Sequence, residues 1–120
     1  LPKSLVYRLS EHINHEREII PRETIEKPPS AELRENQRDE DSLPPYDMLD
    51  RILEMYIEKM MSADEIISRG FPCEIVKDVL MKVDRNEYKR RQAPIGVRIT
   101  HRGFGKDRRY PITSKFNFSA

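Results

Sequence analysis

Two proline pairs, Pro28-Pro29 and Pro44-Pro45, frame the segment that most limits how this chain can fold. Proline lacks a backbone N–H and fixes φ, so neither pair fits inside a helix or a central strand. The segment 26–47 (EKPPSAELRENQRDEDSLPPYD) has ten charged residues among 22, and its apolar side chains are Ala31, Leu33, Leu43 and Tyr46. Such a segment has no apolar face to bury. We therefore expect a charged loop with rigid ends rather than a packed element.

The composition predicts a small core. The chain has 120 residues, which is room for one small domain. Charged residues make up 36% of it, the mean hydropathy is −0.78, and nine prolines occur with no tryptophan. Either the core is small, or the apolar faces pack on something outside this sequence. The chain also starts without Met, close to a helical pattern. We expect it to begin partway along a longer polypeptide.

The single cysteine and the short apolar runs narrow the class of protein. One cysteine, Cys73, excludes an internal disulfide framework and a cysteine-rich zinc site. A lone cysteine fits a reducing compartment, and we expect a cytoplasmic protein. We expect Cys73 to be a buried structural thiol rather than a nucleophile, although it lies near a helix N-terminus. No apolar run approaches the roughly 18 residues that suggest a membrane span, so we expect no membrane partner.

Charge is divided unevenly along the chain. Residues 82–120 hold eleven Lys/Arg and three Asp/Glu, a balance of +8, whereas residues 1–81 hold eleven Lys/Arg and eighteen Asp/Glu, a balance of −7. Such a division suggests that the C-terminal third faces an anion. The alternative is that the two parts simply attract each other. Charge alone leaves both open.

Apolar stripes predict the first helices. A helix over residues 1–17 is predicted by apolar side chains that recur every four residues, Leu5, Leu9 and Ile13. The stretch 19–27 (IIPRETIEK) fits either a short strand or a turn. A second stripe, with steps of three and four, begins directly after the second proline pair and reaches Met60.

Capping signals place the later helices. Residues 62–65 (SADE) form a capping box, in which the Ser and the Glu each accept from an unpaired N–H. Gly70 suits the left-handed residue that ends a helix. Pro72 then starts a helix that we expect to run to Gln92. The helical region therefore spans residues 46–92.

The last part of the chain has no helical periodicity. Residues 93–120 are expected to form a basic irregular tail, in which residues 95–100 (IGVRIT) fit a short strand. The whole is expected to be mainly α, with three to four helices plus the irregular loop and the tail.

Candidate metal and phosphate sites are weak. His12 and His15, with Glu16 beside them, share a helix face that could bind a divalent metal. No third ligand lies at a suitable spacing, so a solvated helix face is favoured and we assign no metal ligand. No GxxxxGK[ST] phosphate loop occurs, and residues 102–106 (RGFGK) lack its spacing.

Two helices around the turn at Gly70 have the outline of a helix-turn-helix, and a basic tail follows them. A recognition helix reads bases mainly from its N-terminal part. That part is PCEIVKD, which contains two acids, whereas the cations Lys89, Arg90 and Arg91 lie at the other end. A small nucleic-acid-binding module is therefore the alternative function rather than the preferred one.

The basic run in residues 86–94 (NEYKRRQAP) suits a smaller anion. Arg can hold a phosphate or pyrophosphate with its planar fork, and Lys can do so as a point charge. Cations at a helix C-terminus also complement the helix dipole. The dipole explains one or two of these cations more easily than all of them.

Several stretches together resemble the C-terminal part of NAD synthetase in its glutamine-dependent form. Their order and spacing agree with that family, and the resemblance covers essentially the whole chain. The stretches are residues 27–33 (KPPSAEL), 39–47 (DEDSLPPYD) and 88–94 (YKRRQAP), followed by Phe104-Gly105, Arg108-Arg109 and Pro111-Ile112.

The resemblance implies a ligase of NAD biosynthesis. In this family ATP, with Mg²⁺, adenylates the nicotinate carboxylate of deamido-NAD and releases pyrophosphate, and ammonia then displaces AMP. A separate glutaminase domain makes the ammonia. The synthetase domain is an α/β fold related to other ATP pyrophosphatases (adenine-nucleotide-hydrolase-like), and the enzymes are homodimers or higher homo-oligomers. Nucleic acid plays no part.

The resemblance also implies site residues. Lys27 corresponds to a lysine that contacts ATP. A hydroxyl near the Asp-Glu pair also touches ATP in relatives, and Ser42 is the nearest match, displaced by one position. Tyr88 and Lys89 correspond to the pair that binds deamido-NAD. Residues 26–45 correspond to a mobile loop that covers the substrates.

One departure from the family pattern limits the chain. The Ser-Gly-Gly-x-Asp-Ser loop that binds pyrophosphate in this family is absent from the sequence, as are the catalytic residues of the glutaminase domain. ATP and Mg²⁺ would therefore be bound mainly outside this chain. We expect the isolated chain to be inactive.

Overall fold

A computed structural model describes residues 1–30, 33–94, 96–105 and 107–113. Parts of the sequence predictions lie outside them: Ala31 and Glu32 of the first motif, Ile95 of the possible strand, Lys106, and the end of the tail from residue 114. The chain divides into two compact units, the first Leu1–Asp50 and the second beginning at Arg51.

Every regular element among the described residues is a helix, and none of these residues forms a strand. The α-helices are α1 (Lys3–Ile13), α2 (Arg22–Glu26), α3 (Tyr46–Leu53), α4 (Ala63–Ser68), α5 (Cys73–Arg85) and α6 (Glu87–Gln92). A 3-10 turn spans Asp39–Asp41, and α3 continues as a π-helical turn over Glu54–Glu58. The mainly α prediction is confirmed, but with six α-helical segments instead of three to four.

Helix α1 is shorter than predicted because Asn14 ends it. The Asn14 Oδ1 atom accepts from the N–H groups of Ile19 and Ile20, and its Nδ2 atom donates to Ile20 O. These bonds turn the chain back before α2. The start of α1 has no cap from its own neighbour, but Asp50 accepts from the N–H groups of Lys3 and Ser4, at 3.3 and 2.8 Å.

The stretch 19–27, which fitted a strand or a turn, contains the short helix α2. Pro21 precedes it in an extended conformation with ψ 136°, and the N–H of Arg22 is taken by Glu18 Oε1 at 3.2 Å. Arg22 also pairs with Glu11 at 2.7 Å. A five-residue helix shows too little periodicity to be recognised from its sequence.

The second unit contains most of the buried apolar side chains. They lie on α3 and its π turn, on α4, on α5 and in the turn between α4 and α5: Ile52, Met55, Ile57, Ile66, Phe71, Val76, Val79, Leu80 and Val83. Helix α4 starts with the predicted capping box, since Glu65 N–H donates to Ser62 Oγ and Ser62 N–H donates to Glu65 Oε2. Gly70 adopts φ +92°, as predicted for the residue after a helix end.

The predicted helix from Pro72 to Gln92 is divided at Asn86. The Asn86 side chain donates to Lys82 O at 2.7 Å, which competes with continuation of α5. Helix α6 begins at the next residue. Cys73 was expected to be buried, but it is exposed because it is the first residue of α5 and precedes the helix's buried stripe.

Two broader properties can be stated for the residues that the structure covers. No helix among them is long and apolar enough to cross a membrane. No group of three or more His, Cys, Asp or Glu side chains among them could hold a metal ion, and His12 and His15 are exposed on or beside α1.

Candidate functional site

Asp39 ties the two ends of the proline-framed loop together. Its backbone N–H donates to Pro29 O at 2.9 Å, and its carboxylate accepts from the Tyr46 hydroxyl at 2.5 Å. Pro29 belongs to the first proline pair, and Tyr46 follows the second directly. One aspartate therefore connects both rigid ends of the loop.

The Tyr46 hydroxyl remains a proton donor in this contact. Burial raises the pKa of Tyr46 most, and the hydrogen bond to Asp39 and the negative charge of that carboxylate raise it further. Because the hydroxyl stays protonated at neutral pH, the contact is a hydrogen bond from a neutral phenol to a charged acceptor. Hydrogen bonds of that class are stronger than those between neutral groups.

The loop also has bonds of its own. Leu33 N–H donates to Gln37 Oε1 at 2.9 Å, and Arg34 lies 3.5 Å from the Asp41 carboxylate. Asn36 adopts φ +55°, a left-handed conformation that Asn tolerates better than most residues. The mobility of the loop and its role in covering the substrates stay predictions.

The two residues predicted to contact ATP lie at the ends of this loop. Lys27 directly follows α2, its N–H donates to Glu23 O at 2.9 Å, and the residue is exposed. Ser42 follows the 3-10 turn, and its hydroxyl donates to Asp39 O at 3.4 Å, a long bond. Both residues belong to the first unit.

The basic run on α6 is organised by a buried carboxylate, Glu87. Its side chain is only 2% exposed and pairs with Arg90 at 2.6 Å and Arg91 at 3.3 Å. It also accepts a hydrogen bond from the backbone of Tyr110, and Arg91 donates to Tyr110 O at 3.2 Å. The backbone N–H and C=O groups of Tyr110 thus both join the tail to helix α6.

Glu87 is held in its charged form. Burial works to raise the pKa of Glu87, but the hydrogen bonds from Arg90 and Arg91, the charge of Arg90 and the Tyr110 bond together lower it below its ordinary value. Arg90 is fixed further, because it donates to Val83 O at 2.6 Å and lies over the Phe104 ring. These two arginines have structural partners.

Tyr88 and Lys89, the residues predicted to bind deamido-NAD, lie on α6 between Glu87 and Arg90. Both are exposed. At 100° per residue, residues 87, 90 and 91 share one side of a helix and residue 89 points to the opposite side. The run KRR therefore divides into one solvent-facing lysine and two arginines on the side of Glu87, of which Arg90 is largely buried and Arg91 is 47% exposed.

Other tail cations contact the helices of the second unit. Arg108 pairs with Asp84 at 2.7 Å and lies 4.3 Å from the centre of the Tyr56 ring. Arg102 donates to Ile57 O at 3.1 Å, in the π-helical turn. Burial raises the pKa of Tyr56, while the charge of Arg108 opposes this and that of Asp84 adds to it.

These contacts bear on whether the cations of residues 82–120 face an external anion or bind groups of the protein itself. Within the second unit, Arg102 donates to a backbone carbonyl and Arg108 pairs with an acid that lies in the same C-terminal third, so protein groups hold both tail arginines. Lys89 stays exposed on the surface. The anion-facing hypothesis thus narrows from the whole C-terminal third to a few positions.

Glu87 and Asp84 were not predicted from the sequence to organise the basic residues. Glu87 had a visible signal, because an acid three and four residues before two arginines pairs with them along a helix. Asp84 had no such signal, since Arg108 lies 24 residues away.

The four predicted site residues lie in different units, Lys27 and Ser42 in the first and Tyr88 and Lys89 in the second.

Known proteins similar to this chain are glutamine-dependent NAD(+) synthetases. The one from Aquifex aeolicus is 52% identical over 114 residues, which are 95% of this chain and 20% of that protein. The one from Acinetobacter baylyi is 52% identical over 114 residues, 93% of this chain and 21% of that protein. The chain thus spans about a fifth of the length of the curated relatives it matches.

A solved structure is similar as well. The glutamine-dependent NAD+ synthetase of Acinetobacter baumannii, in complex with ADP, matches 92% of this chain and 19% of its own chain, with a TM-score of 0.57 and 44% identity. The nucleic-acid-binding alternative has no support from these comparisons. The NAD synthase family matches residues 1–93, so the resemblance is confirmed and the chain belongs to the NAD synthase family.

Proposed function

We propose that this chain is the C-terminal part of the synthetase domain of a glutamine-dependent NAD+ synthetase. The observation that carries the proposal is about 50% identity across more than nine tenths of the chain to proteins of that name, each about five times as long. The surrounding domain would have the α/β ATP pyrophosphatase fold. Its sheet would cover the apolar side of α1.

The reaction would be the ATP-dependent amidation of deamido-NAD to NAD. The carboxylate of deamido-NAD attacks the α-phosphorus of ATP, pyrophosphate leaves, and ammonia then displaces AMP from the adenylate. Negative charge builds on the departing pyrophosphate, so fixed cations stabilise the transition state more than the ground state. The glutaminase domain that supplies ammonia would lie outside these residues.

Mg²⁺ would neutralise phosphate charge in this reaction. The described residues offer no group of three or more ligands for it. We place the metal with the pyrophosphate loop of the family, which this sequence lacks.

Each predicted site residue has a part in this proposal. Lys27 would contact ATP from the start of the loop, and Ser42 would offer it a hydroxyl. Lys89 would pair as a point charge with a phosphate of deamido-NAD, and Tyr88 would pack beside it. The exposure of Lys27, Tyr88 and Lys89 supports these roles, because a substrate can reach them.

The loop would act as a lid. Residues 26–45 would close over the nucleotides and exclude water that otherwise hydrolyses the adenylate. The bonds of Asp39 to both rigid ends support this role, since they order the loop between its two proline pairs. The Acinetobacter baumannii enzyme is in complex with ADP, which supports nucleotide binding in the family.

Assays of NAD formation test the proposal. The complete synthetase that contains these residues should make NAD from deamido-NAD, ATP and ammonia, and the isolated 120-residue chain should make none.

In the complete enzyme, Lys27→Met should raise the KM for ATP about tenfold, as expected when a charged hydrogen bond is lost. Lys59→Met, at an exposed lysine paired with Glu54, is the control and should leave that KM unchanged. NAD formation by the isolated chain, or equal effects of the two variants, would contradict the proposal.

A further inference from the structure

Glu87 stands out among the described residues because it is their one buried charged side chain. A buried carboxylate is unfavourable unless it is paired and hydrogen-bonded. Glu87 meets this condition through Arg90, Arg91 and the Tyr110 backbone. The position therefore depends on a specific set of contacts.

Those contacts fix α6 on three sides. Arg90, itself largely buried, connects Glu87 to the end of α5 through Val83 O. The Phe104 ring lies 4.7 Å from the Arg90 guanidinium and covers it. Arg91 and Glu87 together hold the backbone of Tyr110. A helix of only six residues is marginal in isolation, so these contacts determine where it lies.

The same contacts determine the direction of Lys89. With Glu87, Arg90 and Arg91 turned toward the unit, the geometry of a helix turns Lys89 outward. The two arginines share the Glu87 carboxylate and each also donates to a backbone carbonyl, whereas Lys89 is exposed on the other side of the helix.

We propose that Glu87 is a positioning residue for deamido-NAD, which holds α6 and the tail so that Lys89 presents its ammonium group to the substrate phosphate. This inference rests on the proposed function of Lys89. Glu87 itself touches no substrate. Its effect passes through the orientation of α6 and through its ion pairs with Arg90 and Arg91.

The test uses the complete synthetase with Glu87→Gln, which keeps the shape of the side chain and removes its charge. We expect the KM for deamido-NAD to rise about fivefold or more, with kcat less affected and glutaminase activity unchanged. Glu87→Asp should recover part of the loss. Glu74→Gln, at an exposed acid in the first turn of α5, is the matched control and should leave both constants unchanged.

A double-mutant cycle separates positioning from general stability. If Glu87 acts through Lys89, then Glu87→Gln should raise the KM little further in a Lys89→Ala background. Additive effects would overturn the inference, as would a KM for deamido-NAD that is unchanged or lowered by Glu87→Gln. A loss of glutaminase and synthetase activities together would also overturn it, because that pattern indicates a merely structural role.

A second variant decides the question if Glu87→Gln does not fold. Arg91 is 47% exposed, so Arg91→Met should fold while it removes the contacts to Glu87 and Tyr110 O. The inference predicts a smaller rise of the KM for deamido-NAD in this variant, and no rise would contradict it.

If Lys89→Ala alone leaves the KM for deamido-NAD unchanged, the proposed function of Lys89 fails. If Lys89→Ala raises it and neither Glu87→Gln nor Arg91→Met does, only the inference about Glu87 fails.

Discussion

Asp84 and Arg108 form a largely buried ion pair, and they show what single residues contribute to this chain. The side chains are 15% and 16% exposed, the Tyr56 hydroxyl lies 3.3 Å from both carboxylate oxygens, and its ring faces the guanidinium. Such pairing could not be read from the sequence, because 24 residues separate the partners. Glu87, Arg90 and Arg91 are different, since their spacing along a helix made the contact predictable.

Breaking this pair should destabilise the chain far more than breaking an exposed one. Arg108→Met leaves Asp84 without its positive partner in a buried position, so we expect a loss of about 3 kcal/mol in the free energy of unfolding. Urea denaturation of the 120-residue chain, followed by circular dichroism, measures it.

The control is Lys59→Met, which removes a pair whose side chains are 52% and 56% exposed. It should cost less than about 1 kcal/mol. Equal losses for the two variants would contradict the structural role of Arg108.

The helices and turns agree with the sequence predictions where those predictions depend on neighbouring residues. The capping box at residues 62–65 and the left-handed Gly70 appear as predicted, because both depend on neighbours within a few residues. The break at Asn86 was missed, since it comes from a side chain that competes with the helix for Lys82 O. The hydrogen bond between Asp39 and Tyr46 was missed too, although both residues lie in the same motif, residues 39–47.

The loop should open more easily without the charge of Asp39. Asp39→Asn weakens the bond that the Tyr46 hydroxyl donates, and the loss of about 1.5 kcal/mol corresponds to roughly tenfold more opening. Cleavage by trypsin after Arg34 and Arg38 should accelerate accordingly, because proteolysis follows the population of the open form.

Asp47→Asn is the matched control for the loop. Asp47 is an exposed acid in the first turn of α3, so its substitution should change the cleavage rate by less than about twofold. Equal cleavage rates for Asp39→Asn and the unmodified chain would show that the aspartate does not hold the loop.

The chain as a whole buries little on its first helix. Helix α1 has no buried residue, and its predicted stripe is partly exposed: Leu5, Val6, Leu9 and Ile13, at 37–46%. The sequence predicted this stripe correctly, but it could not name the surface that covers it, because periodicity reports a face and not its partner. The relatives are about five times longer than this chain, and the proposed synthetase domain would supply the surface that covers this face.

The exposed stripe should make the isolated chain associate. Apolar patches of this kind mark contact surfaces. Sedimentation velocity at tens of micromolar should show dimers or larger species. Leu9→Glu, on an already half-exposed side chain, should shift the chain toward monomers. A chain that is monomeric at every concentration would contradict this prediction.

The assignment of Lys89 to deamido-NAD is tested most directly by two activities of one variant. In the complete synthetase, Lys89→Ala should raise the KM for deamido-NAD roughly tenfold or more, because a charged contact to phosphate is lost. Glutaminase activity should stay unchanged. Arg85→Ala, at an exposed cation in the last turn of α5, is the control and should alter neither. An equal loss of both activities in Lys89→Ala, or an unchanged KM for deamido-NAD, would contradict the assignment.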